Sequence, residues 1–147
     1  GQFDSHGNND RDQMKLIPEF LAGIDYAVRR AEALGIREKL VLVIQSEMGR
    51  TPHYNKGNGK DHWSIGSIMF MGHGIKGNRL LGETDGGQFA IPFDPKSLTP
   101  NPDKGIRVRP EHIHLALRQH AGIEEHKFSK RFSLKVSGAE SLEKFWG

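Results

Sequence analysis

The sequence predicts an α/β fold with a mainly parallel sheet flanked by helices. Three observations predict it. Apolar residues recur at helical spacing through residues 14–34, and an uninterrupted apolar run, KLVLVIQ at 39–45, follows after one glycine. Clusters that combine carboxylates with imidazoles then fall after strand-like segments, where open α/β sheets gather their ligands.

The helix is the clearest element. Met14, Ile17, Leu21, Ile24, Val28, Ala31 and Leu34 form one apolar stripe, leaving Arg29, Arg30 and Glu32 for solvent. Pro18 belongs in its first turn or kinks it, and Gly35 is its stop. The run 39–45 shows no polar alternation, which is the pattern of a strand covered on both faces. The stripe is therefore expected to be buried against a sheet containing Val41, Val43 and Ile44. Residues 67–71, SIMFM, read as a second short strand, and 78–106 are broken by Gly86-Gly87 and Pro100-Asn101-Pro102. A last helix starts at Pro110 and ends near His120 before Gly122. Its His112 and His114, two apart, are expected on the surface. The tail, with Phe128, Phe132, Leu134, Phe145 and Trp146, has no readable period. Two strands and two helices make a thin core, so a further strand is expected immediately before Phe3. The chain, 1–147, then reads as one partial α/β domain, the C-terminal part of a larger one.

Composition narrows the chemistry. The chain has 147 residues and no cysteine, which excludes disulfide scaffolds, cysteine zinc ribbons and thiol nucleophiles. Residues 1–73 balance 9 bases with 9 acids, and residues 74–147 carry 12 bases and 9 acids, for a net charge of +3 overall. Nucleic acid is not expected as a partner on so mild a bias, although residues 104–135 hold 8 bases against 3 acids. No apolar run approaches the roughly 18–20 residues of a membrane span, so no membrane partner is expected.

Three clusters carry the candidate chemistry. In Phe3-Asp4-Ser5-His6-Gly7-Asn8-Asn9, Asp4 and His6 are two apart, and in an extended segment both face one cation. Asp4 as a helix N-cap is an equal reading on local sequence. Ser46-Glu47-Met48-Gly49-Arg50-Thr51-Pro52 follows the apolar strand and offers Glu47 as a ligand and Arg50 as a bidentate grip on an anion. A turn held by a Glu–Arg pair is the plainer alternative. Lys60-Asp61-His62-Trp63 adds a third acid–imidazole pair behind Gly57-Asn58-Gly59. Oxygen and imidazole ligands suit zinc, manganese or magnesium, which polarise a phosphoryl or sulfuryl oxygen.

Other motifs fail on context. Gly72-His73-Gly74-Ile75-Lys76-Gly77 has dinucleotide-loop spacing but precedes no helix. Gly57-Asn58-Gly59-Lys60 ends in Asp61, where a phosphate loop needs Ser or Thr. Ser46 lacks the glycines of a nucleophile elbow.

The order F-D-S-H-G-N-N, long helix, L-V-L-V-I-Q-S-E-M-G-R-T-P, D-H-W, G-H-G-I-K-G, D-P-K-S-L-T-P resembles the sulfatase-like domain-of-unknown-function family (number 1501) of the alkaline phosphatase and sulfatase superfamily. The resemblance spans residue 3 to about residue 122. It implies an alkaline-phosphatase-like fold, with Asp4, His6 and His62 on one metal and Glu47 in the place of an acidic ligand to a second; Asp61, next to His62, is a further candidate metal ligand. Members carry Asp-His after the apolar strand, whereas this chain has Glu47-Met48, and a thioether is a poor ligand for a hard cation. The superfamily's nucleophile belongs to an upstream region with no counterpart here, and export to the periplasm is implied by resemblance alone.

The expected function is thus that of a metal-dependent phosphatase- or sulfatase-like ester hydrolase acting on a small anionic ester. The nucleophile is unidentified, so the chain alone should be a slow catalyst. A non-catalytic binding or scaffold module that keeps the metal site is the alternative.

Overall fold

The computed structural model describes residues 3–134, 142, 145 and 146. The strand expected before Phe3 lies outside them, as does Lys135 of the basic stretch. The chain divides into two compact units, residues 1–75 and 76–147.

The first unit opens with helix α1, Asn9–Ala33, which runs uninterrupted past Pro18. Its N-cap is Asn8, in the left-handed region at φ 49°, so Asp4 does not cap it. Asp10 and Asp12 lie in the first turn and Arg30 in the last, matching the helix dipole. A short 3-10 turn, Arg37–Lys39, leads into strand β1, Val41–Gln45. Strands β2, Gly49–Arg50, and β3, His62–Trp63, form a two-residue ribbon before β4, Ile68–Gly72.

The parallel sheet expected from sequence is not what forms. Among the described residues the strands make two separate antiparallel pairs, β1 with β4 and β2 with β3, with no parallel neighbours and no sheet enclosed by helices. An alkaline-phosphatase-like core is therefore ruled out for these residues. In the β1–β4 register Val43 lies opposite Phe70 and Leu42 opposite Met71. The apolar run has the pattern of a strand covered on both faces, yet Val43, Met69 and Met71 are exposed. A single strand's composition carries no sign of its partner's direction. Here the connection 46–67 folds into its own ribbon and brings the chain back beside β1 running the other way.

The stripe of α1 differs from expectation for the same reason. Met14, Ile17 and Leu21 are exposed, Ile24 and Val28 are half-buried, and only Ala31 is buried. Two strands are too narrow to cover a helix of 25 residues.

The second unit holds the irregular segment 76–109 and helices α2, Pro110–His120, and α3, Lys127–Arg131. Among the described residues, Phe93, Ile113, Ala116 and Leu142 are its buried apolar ones. Phe93 exchanges backbone hydrogen bonds with Ile106, and the Trp146 indole donates to the Ala116 carbonyl at 3.1 Å. His114 is exposed but His112 is buried, contrary to the surface position expected for both. The His112 Nδ1 accepts the Arg109 backbone N–H at 3.0 Å, so the imidazole closes the N-terminus of α2 from its third position.

Candidate metal centre

Period-two alternation sets the first two donors. Ser5 is 2% exposed and turns inward, donating to Asn9 Oδ1 at 2.6 Å and accepting from Gln13 Nε2. Its neighbours Asp4 and His6 therefore project outward from the same side of the strand-like segment.

The third donor comes from β3, which is brought to this segment by backbone bonds. Asn8 N–H donates to Gly57 O, Asn9 N–H to Asn58 O, and Lys60 N–H to Ser5 O, all at 2.9–3.0 Å. Asn55 ties the loop further: its Nδ2 donates to His6 O and to Asp61 Oδ1, while its Oδ1 accepts from Gly57 and Gly59 N–H. Gly59 is pressed so closely on this segment that a Cβ there would lie 2.0 Å from the His6 carbonyl carbon. The β2–β3 register sets Arg50 opposite His62.

Asp4, His6 and His62 meet. His6 Nε2 lies 3.1 Å from Asp4 Oδ1 and 3.1 Å from His62 Nε2, and His62 Nε2 lies 3.5 Å from Asp4 Oδ1. Asp61 approaches the other ring nitrogen, His6 Nδ1, at 2.7 Å. Arg50 Nη2 donates to Asp4 Oδ1 at 2.5 Å, and Nη1 donates to the Lys60 carbonyl at 3.0 Å. Glu47 is exposed and stands outside the group.

The electrostatics follow from these bonds. The hydrogen bond from Arg50, then the charge of His6 and a hydrogen bond from His62, hold the Asp4 carboxyl below its ordinary value. Asp61 is lowered chiefly by its hydrogen bond to His6 and next by Asn55. Both acids are ionised near neutral pH, and an ionised carboxylate only accepts. Asp61 can accept a proton carried on His6 Nδ1. The other ring nitrogen, Nε2, faces both Asp4 Oδ1 and His62 Nε2 at 3.1 Å.

A metal fits this donor set. Bonds of about 2.0–2.2 Å to nitrogen and oxygen place tetrahedral ligand atoms about 3.3–3.6 Å apart. The three separations here are 3.1, 3.1 and 3.5 Å, and the three ligand atoms form a group able to hold one ion. Asp61 on His6 Nδ1 stands where an outer carboxylate would fix the tautomer and ring orientation of a ligating imidazole. Asn55 and Gly59 were not singled out in the sequence. Their part is backbone contact, and only the turn-forming composition of Asn55-Lys56-Gly57-Asn58-Gly59 hints at it.

Comparison with known proteins finds one family. The model of the family described as "Protein of unknown function (DUF1501)" matches residues 1–121, which include every residue of this site. No curated protein and no solved structure matches the chain.

Proposed function

Since the chain belongs to the DUF1501 family, a function has to rest on the site's own chemistry, and we propose that Asp4, His6 and His62 hold one divalent cation at which a phosphate or sulfate ester is hydrolysed. The convergence of Asp4 Oδ1, His6 Nε2 and His62 Nε2, 3.1–3.5 Å apart, carries the cation half of this reading. Two imidazoles with one carboxylate favour zinc or manganese over magnesium, which prefers oxygen ligands and keeps its waters. Such a cation supplies Lewis-acid polarisation of the ester oxygen.

The chain's own residues divide the remaining work. Asp61 holds His6 in the ligating tautomer, and Arg50 brings the planar donor fork that suits an oxyanion. Asp4, His6 and His62 would hold the cation with three protein ligand atoms, the number typical of catalytic rather than structural zinc sites. A binding module without turnover is the second reading, and the hydroxyls favour it. Ser5 and Thr51 are both buried, Ser5 held by Asn9 and Gln13, and Thr51 by its bonds to His53 O and Asp61 N–H.

The test combines zinc and manganese titration with nitrophenyl phosphate and nitrophenyl sulfate assays on residues 1–147, wild type and His62→Ala. Cation binding that His62→Ala removes, with turnover below the enzyme median of about 10 per second, is the expected outcome. Binding with no turnover on either ester selects the binding module. A chain that takes up neither metal refutes both readings.

A further inference from the structure

Arg50 and the proposed cation claim the same atom. Of the two Asp4 oxygens, Oδ1 is the one that faces both imidazoles, and it is also the one that accepts Arg50 Nη2 at 2.5 Å. A charge-assisted bond so short withdraws from Oδ1 the negative charge that a metal ligand must offer. Charge balance points the same way. With both imidazoles ligating and therefore neutral, Asp4 and Asp61 bring two negative charges, Arg50 one positive and a divalent cation two, so the loaded cluster carries plus one. That surplus is answered by an anion.

Arg50 is anchored independently of Asp4. Its side chain is 23% exposed, and Nη1 donates to the Lys60 carbonyl at 3.0 Å. Nη2 is thus able to leave Asp4 while the guanidinium stays at the edge of the site, presenting a donor edge to solvent. Resting on the cation reading above, we infer that Arg50 is the resident counterion of Asp4, displaced from it by the divalent cation and then free to take an oxyanion. Arg50 would in this way make oxyanion binding conditional on the metal. Linkage requires the converse too: an oxyanion held by Arg50 tightens the cation by the same factor.

The experiment measures manganese binding by calorimetry and by the paramagnetic resonance of free manganese, with inorganic phosphate as the oxyanion probe. The chains are wild type, Arg50→Gln, Arg50→Met and His62→Ala, the two Arg50 variants being alternatives should one fold poorly. Both neutral variants should bind manganese about ten-fold more tightly than wild type, the worth of one hydrogen bond to a charged group. Phosphate should bind the manganese-loaded wild type and lose about ten-fold in affinity in the Arg50 variants. Equal or weaker manganese binding in both variants overturns the counterion role and makes Arg50 an orienting partner of Asp4. Phosphate binding indifferent to Arg50 overturns the oxyanion role. Wild-type binding that survives His62→Ala refutes the cation site itself, separately from Arg50. Uptake by Arg50→Gln alone supports the competition, and uptake by no chain removes both proposals.

Discussion

Gly59→Ala tests whether backbone contact holds the site together. The added Cβ would lie 2.0 Å from the His6 carbonyl carbon, 2.1 Å from its oxygen and 2.4 Å from Gly7 N, against an ordinary contact of 3.4 Å or more. All three atoms are backbone, so no side chain can swing away, and the two segments must part by about 1.4 Å, the difference between 3.4 and 2.0. Three backbone bonds cross that gap: Asn8 to Gly57, Asn9 to Asn58 and Lys60 to Ser5. At about 1 kcal/mol each, their loss costs about 3 kcal/mol, the upper end of what overpacking costs. Ligand geometry tolerates only about 0.5 Å of such displacement, so manganese or zinc affinity should fall at least ten-fold. Gly57→Ala is the control, since its nearest neighbour is the Asn55 side chain at 3.4 Å, and its stability should stay within about 0.5 kcal/mol of wild type. The assay pairs urea unfolding with metal calorimetry on both variants. A Gly59→Ala chain as stable and as tight for metal as Gly57→Ala would refute the close approach on which the site depends.

Two further outcomes are expected. Asp61→Asn keeps an acceptor for His6 Nδ1 but removes the charge that fixes the tautomer, so metal affinity should drop about ten-fold with unfolding little changed; calorimetry showing no loss would make Asp61 a bystander. Burial pushes the His112 imidazole below its ordinary value of 6.5, against the opposing charge of Glu111, while the charge of Arg109 adds to the lowering. The unfolded chain then binds the extra proton first, so His112 contributes stability that is complete above pH 6.5 and is lost as pH falls towards its folded value. Protonation also deprives the Arg109 N–H of its acceptor. His112→Gln, whose amide oxygen can accept the same bond without titrating, should show a shallower loss of thermal stability below pH 6.5 than wild type; parallel profiles would refute the cap's role.

What the sequence revealed and what it concealed divide along physical lines. Period 3.6 in residues 14–34 marked a helix found at Asn9–Ala33, and Pro110 marked the start of α2. Apolar runs marked β1 and β4 to within two residues. Direction of pairing was not legible, because the run 39–45 has the composition of a strand covered on both faces whichever way its neighbour runs. Burial was not legible either, since the apolar stripe of α1 states a preference for cover without supplying any. The two-residue strands β2 and β3 are too short to show a period, yet their register places Arg50 opposite His62. Asp4 and His6 were readable from their spacing of two, whereas Asn55 and Gly59 act through main-chain atoms that leave no side-chain pattern. His112 was misplaced because a polar residue two from another polar residue on a helix suggests solvent, and its partner is a backbone N–H.

The donors converge by a mechanism independent of the apolar core. Asp4, His6 and His62 are all exposed, and the buried groups beneath them are Ser5, Gly59 and Thr51, which are small and polar or have no side chain. Hydrogen bonds therefore take the place that packing holds in an interior site. Ser5 fixes the outward direction of its two neighbours, Thr51 Oγ1 accepts the Asp61 N–H, and Asn55 joins the loop to both His6 and Asp61. Each bond is worth only about 1 kcal/mol, but together they restrain the two short segments that supply every donor. A site built this way owes its geometry to the 4–9 and 49–63 segments and not to the breadth of a sheet. That is why Asp4, His6 and His62 can be brought together in a chain whose described strands form only two narrow antiparallel pairs.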